Sequence, residues 1–316
     1  IHDSLFFFMV SLEIFSLIIQ LIFLIFGSLI SLSLFLAIFY KKPKNGKKYK
    51  VKNVIVTVGN EKVLPALNEV INQFNKLNLD YIIVSSNPLP FNNVILVPKE
   101  KDGNKYRAIK YFVENFVKDD EWYAFFDDDS YPLDDNYTKE IEWAEKNGYV
   151  AANGILVPRP GKSKICYGLD WIRYFDDLTR FRFATGVIHK PFFGLHGELL
   201  LVKGKVLKEI WLSMPESITE DFVFSMELIK RGYKTWQSKT KVSIKSPNSL
   251  EDFLKQRGRW FKGVFHSSLH YKNLFVILSY LTGIMVSPLF FPLYFFLGNS
   301  FIMLPSIICL LYTSDA

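Results

Sequence analysis

Residues 122–130 read WYAFFDDDS, an apolar run that ends in three consecutive aspartates. The apolar part predicts a buried strand, and the acids mark its carboxyl end. Ligands of open, parallel α/β sheets bind at this edge. Because side chains alternate along an extended chain, Asp127 and Asp129 should share one side, where their carboxylates could hold Mg²⁺ or Mn²⁺. A solvated acidic turn is the plainer alternative, since paired aspartates occur elsewhere in the chain.

Strand and helix patterns alternate around this stretch. Apolar, β-branched segments predict further strands at residues 51–58, 81–84, 94–97 and 149–157. Apolar residues at helical spacing predict helices within residues 64–77, 108–116 and 141–145. Such alternation is typical of an α/β domain with a mostly parallel sheet that is covered on both faces.

The composition excludes several classes of protein. The chain has 316 residues and a net charge of +7, and residues 41–52 alone contain seven lysines and no acid. Charge this concentrated argues against a nucleic-acid-binding surface, so we expect no nucleic-acid partner. Hydrophobic residues make up 49% of the chain, which excludes disorder as the main state. The two cysteines, Cys166 and Cys309, are too few for a disulfide framework or a cysteine-based zinc site.

Apolar residues concentrate at the two ends. Residues 5–40 carry one charge, Glu13, and residues 274–312 carry none. This pattern predicts a transmembrane segment at 1–40 and further transmembrane segments at 274–316. Lysine and arginine flank the middle of the chain on both sides, which predicts an integral membrane protein in a lipid bilayer, with residues 41–249 as a cytosolic α/β domain. Residues 250–273 would form an amphipathic interfacial helix.

Two motifs at predicted helix starts carry possible chemistry. Lys105 opens a helix after Gly103 and Asn104, where free N–H groups and a positive charge could bind an anion. An ordinary helix with exposed bases fits equally well. Glu220 and Asp221 follow Thr219, which could cap a helix that begins with acids. The functional alternative makes one of these acids a general base.

The predicted interfacial helix holds a further group. Arg257 and Arg259 have guanidinium forks that match diphosphate oxygens, and the Trp260 ring offers a face to a sugar. An amphipathic helix at a membrane surface would explain the same residues. His266 and His270 have the spacing of metal ligands, but no third ligand lies near them in sequence, so we expect no metal there.

The order of these motifs resembles that of the family 2 glycosyltransferases, which include cellulose and hyaluronan synthases. The motifs are Lys105, Asp-x-Asp at 127–129, Thr-Glu-Asp at 219–221 and Gln-x-x-Arg-Trp at 256–260. The stretches PESITEDFVFSM and KSPNSLEDFLKQRGRWFKG, within residues 215–263, are most similar to egghead-type β-1,4-mannosyltransferases. The resemblance covers about residues 51–292 and implies a GT-A fold, which is Rossmann-like, with inversion at the anomeric carbon.

The resemblance also implies roles for individual residues. Asp127 and Asp129 would bind Mg²⁺ or Mn²⁺, and Asp221 would be the catalytic base. The implied donor-binding residues are Lys105, Asp127, Asp129, Gln256, Arg257 and Arg259. The implied acceptor-binding residues are Trp260, Glu220 and His196.

The predicted function is that of a membrane-bound inverting glycosyltransferase. It would move a hexose, mannose on the resemblance, from a nucleotide sugar to a glycolipid or saccharide acceptor. Residues 85–87 read Ser-Ser-Asn where many relatives carry an aspartate, so the donor stays open between GDP-mannose and a UDP-sugar. One alternative is a polyprenyl-phosphate sugar synthase, which would not need Trp260. Another is a non-catalytic membrane adaptor that binds nucleotide or lipid, which would not need the acids.

Overall fold

The computed structural model describes residues 35–274, 276 and 277, together with the single positions 14, 17, 21 and 32. Within that part of the chain, the strands are β1 Val51–Thr57, β2 Tyr81–Ser85, β3 Val94–Leu96, β4 Trp122–Asp127, β5 Ser130–Pro132, β6 Tyr149–Arg159, β7 Leu200–Lys203 and β8 Lys234–Lys245. The α-helices are α1 Leu64–Lys76, α2 Lys105–Phe116, α3 Asn136–Lys139, α4 Ile141–Lys146, α5 Lys164–Asp176, α6 Gly204–Trp211, α7 Glu220–Lys230 and α8 Leu250–His270. The π-helix Asp177–Val187 continues α5, and short 3₁₀ turns occupy Ala37–Phe39, Lys99–Lys101 and Gly197–Leu199.

The strands form one mixed sheet in the order β3–β2–β1–β4–β7–β6–β8–β5. The first four are parallel to one another, and β6 is parallel to β8. Strand β7 runs antiparallel to both of its neighbours, and β5 runs antiparallel to β8. The predicted α/β class is confirmed, although the sheet is less uniformly parallel than the sequence indicated.

Helices cover both faces of the sheet, as the apolar patterns predicted. On one face, β4 packs against α2, α6 and α7 through rings that include Phe112, Trp211 and Phe224. On the other face, Phe74 of α1 lies edge-on to Phe126 of β4, with ring centroids 5.1 Å apart. Burying each such ring contributes about 1.5–3 kcal/mol, so the two faces hold the strand ends in fixed positions.

The predicted localisation is wrong for the described part of the chain. No helix there combines the length and the apolar character that are needed to cross a bilayer. The longest described helix, α8, has 21 residues but carries Lys255, Arg257, Arg259 and Lys262 along its length. This finding overturns the expectation of an integral membrane protein with a cytosolic catalytic domain. The predicted spans, within 1–40 and 274–316, lie almost entirely outside the described residues.

The reversed direction of β7 places a loop where ligands bind. Because β7 is antiparallel to β4, the amino end of β7 lies beside the carboxyl end of β4, where Phe125 is opposite Leu200. The turn Gly197–Leu199, which precedes β7, therefore meets the aspartates that follow β4.

Candidate active site

The aspartates after β4 are held in a tight turn. The Asp127 backbone N–H donates to Ser130 Oγ at 3.1 Å, which joins the two ends of the turn. The Thr57 hydroxyl, at the end of β1, donates to Asp128 Oδ2 at 2.6 Å. Asp128 is thus anchored to the neighbouring strand. Its two neighbours in sequence, Asp127 and Asp129, are both half-buried.

This turn concentrates negative charge. Burial, together with the nearby carboxylates of Asp127, Asp128 and Glu198, raises the pKa of Asp129 to about 7. A divalent cation would relieve this repulsion, and carboxylate oxygens are the ligands that Mg²⁺ and Mn²⁺ prefer. Among the described residues, no group of three or more histidine, cysteine or acidic side chains forms a complete metal site. The donor set therefore fits a hard cation that takes its remaining ligands from water or from a bound diphosphate.

Lys105 connects two acidic motifs. It begins α2, whose N-cap residue Asn104 accepts the Arg107 backbone N–H at 2.9 Å. The Lys105 ammonium forms an ion pair with Asp127 and lies 3.4 Å from Glu220 Oε1. Burial alone would lower the pKa of Lys105, but these acids raise it well above its usual value. The ammonium is therefore charged and fixed between β4 and α7.

At the start of α7, two backbone N–H groups orient the carboxylate of Asp221. Asp221 Oδ1 accepts the Phe222 N–H at 2.8 Å, and Oδ2 accepts the Gly197 N–H at 3.2 Å. Thr219 occupies the N-cap position, but its side chain does not cap the helix and instead lies 3.3 Å from Ser217 Oγ. Of the two alternatives for this motif, the side-chain cap by Thr219 is therefore not formed, and Glu220 of this motif contacts Lys105 at the β4 edge.

Burial shifts the titration of both acids in this motif. Burial and the adjacent charge of Asp221 together raise the pKa of Glu220 to about 7, although the charge of Lys105 acts in the opposite direction. Burial also raises the pKa of Asp221, again against the effect of Lys105. Both carboxylates are therefore stronger proton acceptors than exposed acids of the same type. Geometry separates them, because Glu220 faces the Lys105 ammonium whereas Asp221 is held by backbone donors.

The turn before β7 fits closely against this pair. A Cβ at Gly197 would lie 2.7 Å from Lys105 Nζ, so only glycine leaves the ammonium where it is. The preceding side chain, His196, turns away towards the π-helix, with Nε2 2.5 Å from Asp177 Oδ1. The other carboxylate oxygen of Asp177 accepts the Leu156 N–H at 2.7 Å. His196 therefore anchors the turn in the structure.

Glu198 is a buried acid of the site that the sequence analysis did not single out. It forms an ion pair with Arg173 of α5. Burial alone would raise the pKa of Glu198, but Arg173 and His196 together lower it to about 2. An ionised carboxylate thus lies beside the aspartate turn and links it to α5.

The tryptophan of α8 belongs to the same cluster. Arg257 forms an ion pair with the buried Asp170 of α5, and its guanidinium lies 4.3 Å from the centre of the Trp260 ring. The Arg173 guanidinium lies 4.8 Å from the same ring. Burial lowers the pKa of Arg257 to about 10, and the nearby charge of Arg173 acts in the same direction. Asp170 and Arg173 were not predicted from the sequence.

The other two residues of the α8 motif differ in environment. Gln256 Oε1 is buried without a hydrogen-bond partner in the described residues. Arg259 is exposed on the outer side of the helix. The structure therefore brings Arg257 and Trp260 into the cluster, keeps Gln256 at its border and leaves Arg259 outside.

A mixed sheet with acids, a lysine and half-buried arginines at the carboxyl edge of β4 is typical of an enzyme that acts on a phosphorylated ligand. Residues 122–314 match the family model described as glycosyl transferase family group 2, and the chain belongs to this family. The resemblance found in the motifs is confirmed.

Curated relatives are mannosyltransferases. The chain is 28% identical over 196 residues to the β-1,4-mannosyltransferase bre-3 of Caenorhabditis elegans, which covers 57% of this chain and 43% of the relative. It is 25% identical over 184 residues to the β-1,4-mannosyltransferase egh of Drosophila melanogaster, covering 54% and 40%. The chain thus spans less than half the length of these relatives.

A solved structure supports the fold. The mannosyltransferase PcManGT from Pyrobaculum calidifontis, in complex with GDP-Man and Mn²⁺, is similar with a TM-score of 0.55 at 13% identity. The similarity covers 94% of this chain and 87% of that one. At this identity the likeness shows a GT-A-like fold, as the motifs implied.

Proposed function

We propose that this chain is an inverting mannosyltransferase that moves mannose from GDP-mannose to a hydroxyl group of a saccharide or glycolipid acceptor. Family membership, the two mannosyltransferase relatives and the GDP-Man complex of the structural neighbour support the proposal. The observation that carries it is the Lys105 ammonium, which joins the acid turn after β4 to the acids that begin α7.

Asp221 is the proposed general base. Its carboxylate is oriented by the backbone N–H groups of Gly197 and Phe222, and burial raises its pKa towards that of a useful proton acceptor. It would take the proton of the acceptor hydroxyl as that oxygen attacks the anomeric carbon. The new C–O bond forms on the face opposite the departing GDP, so the anomeric configuration inverts.

The donor half of the site is proposed to lie along the β4 edge. Asp127 and Asp129 would hold Mg²⁺ or Mn²⁺, which supplies positive charge to the diphosphate leaving group when bound. Lys105 would bind the same diphosphate, because its ammonium is already held there in charged form. Gln256 and Arg257 would complete the donor site from α8, with Asp170 fixing the guanidinium.

The acceptor half is proposed to lie between α7 and α8. Trp260 would present a ring edge or face to the acceptor sugar, while Arg173 and Arg257 fix the position of the indole. Glu220 would approach the acceptor from the start of α7, and His196 would act by anchoring the turn that aims Asp221. Arg259, exposed in the structure, would reach a ligand only at its outer end.

The test is a donor screen with product analysis. The purified chain is incubated with GDP-mannose or UDP-sugars, saccharide acceptors, and Mn²⁺, Mg²⁺ or an excess of chelator. We expect a β-linked mannoside from GDP-mannose, with activity lost in chelator and in Asp129→Ala. Asp80→Ala, at an exposed position away from this edge, is the matched control. A product with retained configuration would contradict the mechanism, and undiminished activity in chelator would contradict the metal site.

A further inference from the structure

We propose that Asp102, held in place by Ser86, recognises the guanine ring of the donor nucleotide. This inference rests on the proposed function and names the group that would select GDP over UDP. It starts from an unassigned polar cluster at the carboxyl ends of β1 and β2, next to the aspartate turn.

The strand order fixes where a nucleotide could lie. Strands β2, β1 and β4 are neighbours in the sheet, so the ends of β2 and β4 are about 10 Å apart at a spacing of roughly 4.8 Å per strand. That separation suits a nucleoside whose phosphates reach the β4 edge. The hydrogen bond from Thr57 to Asp128 shows that the β1 end and the aspartate turn are in direct contact.

The residues at the carboxyl ends of β1 and β2, 58–59 and 85–87, form a partly apolar surface that a hydrogen bond holds together; we call this surface the ledge. Asn87 Nδ2 donates to the Val58 carbonyl at 2.6 Å, and Gly59 has a φ of +69°. A Cβ at Gly59 would lie 2.1 Å from Ser85 Oγ, so the two strand ends approach as closely as glycine allows. The Val58 side chain is 51% exposed on this ledge, an apolar surface on which a flat base could rest.

Asp102 supplies a carboxylate that the strand ends themselves lack. It lies between the 3₁₀ turn Lys99–Lys101 and α2, and its Oδ1 accepts a hydrogen bond from Ser86 Oγ at 2.6 Å. Its second oxygen, Oδ2, accepts no hydrogen bond from the residues that the structure describes. A half-buried acid with spare acceptor capacity therefore borders the ledge, three residues before Lys105.

The chemistry of the bases makes this carboxylate selective. Guanine presents two adjacent donors, N1–H and the 2-amino group, which match the acceptor pair of a carboxylate. Uracil presents a single N–H between two carbonyl oxygens, which a carboxylate would repel. A ledge bordered by Asp102 should therefore favour guanine.

The test compares three nucleotides. Calorimetry gives the affinities of GDP, IDP and UDP for the parent, for Asp102→Asn and for Glu100→Gln, which removes an exposed charge from the same loop. IDP has the N1–H of guanine but lacks its 2-amino group. We expect the parent to bind GDP about tenfold or more tighter than IDP or UDP, since each lost hydrogen bond to a charged group costs at least that factor. Asp102→Asn should narrow the GDP-to-IDP ratio, whereas Glu100→Gln should leave it unchanged.

A second variant distinguishes the loss of the Asp102 carboxylate from local unfolding of its loop. Ser86→Ala keeps the carboxylate but removes its tether, so it should weaken GDP binding in the same direction by a smaller factor. An unchanged GDP-to-IDP ratio in Asp102→Asn overturns the inference, and if the parent still transfers mannose from GDP-mannose, the proposed function stands. If the parent neither binds GDP nor transfers mannose, both the inference about Asp102 and the proposed function are refuted.

Discussion

Replacing Asp221 with asparagine should separate catalysis from folding. Asparagine has nearly the same size as aspartate but cannot accept the acceptor's proton. Loss of general-base catalysis lowers rates by roughly 10²–10⁴-fold, and we expect the rate of mannose transfer to fall by that factor. GDP binding should stay close to the parent's, because the proposed donor groups lie at the β4 edge and on α8.

The structure limits the accompanying loss of stability. Asp221 accepts two backbone N–H groups, at 2.8 and 3.2 Å, and asparagine can accept only one of them well. A lost hydrogen bond to a charged acceptor costs about 1.5–3 kcal/mol. Burial, which raises the pKa of Asp221, already disfavours its charge, so a neutral side chain recovers part of this cost. We therefore expect the free energy of unfolding to fall by about 1–2 kcal/mol.

The assay measures initial transfer rates at saturating GDP-mannose, GDP affinity by calorimetry, and urea unfolding. Glu220→Gln is the matched control, since it neutralises the adjacent acid, whose contact with Lys105 is 3.4 Å long. We expect a milder loss of rate in that variant. A near-parental rate in Asp221→Asn would refute the base assignment, and a collapse confined to Glu220→Gln would move the role to its neighbour.

Two further predictions concern the turn before β7. In Gly197→Ala the new Cβ would lie 2.7 Å from Lys105 Nζ, so we expect transfer to fall about tenfold or more through mispositioning, with little change in Tm because a flexible side chain can move. Gly168→Ala, with nothing within 4 Å of its Cβ, should leave the transfer rate unchanged and raise Tm slightly, because alanine favours the helical backbone of α5 more than glycine does. Equal rates in the two variants would argue against the close fit. Burial would raise the pKa of Glu198, but the charge of Arg173 outweighs burial and lowers this pKa from an ordinary 4.5 to about 2. The ionised Glu198 therefore contributes to stability above about pH 4.5, and this contribution is lost as the pH falls towards 2. Urea unfolding across this window should show a shallower pH dependence in Glu198→Gln than in the parent, and parallel curves would contradict the ion pair.

The apolar strands could be predicted from sequence, whereas the polar ones could not. The strand predicted at 122–126 is β4, Trp122–Asp127, and those at 51–58 and 81–84 are β1 and β2. Strand β8 escaped prediction because its buried side chains include Thr235, Gln237 and Thr240, which break the apolar pattern. Tertiary partners satisfy them, as when Gln237 Nε2 donates to the Asp177 carbonyl at 2.6 Å. Strand β7, with four residues, is too short for its pattern to stand out.

In the candidate site, residues within local motifs could be predicted from the sequence, whereas ion pairs between distant residues could not. The motifs located Lys105, Asp127 and the two acids at the start of α7, which the structure brings together. The pairs Arg173–Glu198 and Arg257–Asp170 join residues that are 25 and 87 positions apart, and no local pattern connects them. On α5, Asp170 and Arg173 have the three-residue spacing of an ordinary exposed ion pair. Only packing against α8 shows that Asp170 is buried and that Arg173 is half-buried.

The position of β7 in the sheet also has a consequence for biosynthesis. Strand β4 is complete at Asp127, but the strand that covers its open side begins only at Leu200. At elongation rates of roughly 5–20 residues per second, the edge of β4 waits about 4–15 s for its partner. Its sequence, WYAFFD, is aromatic and carries no charge before its last residue, which is the kind of edge that pairs with other chains. The nascent polypeptide should therefore need a chaperone most while residues 128–199 are being synthesised.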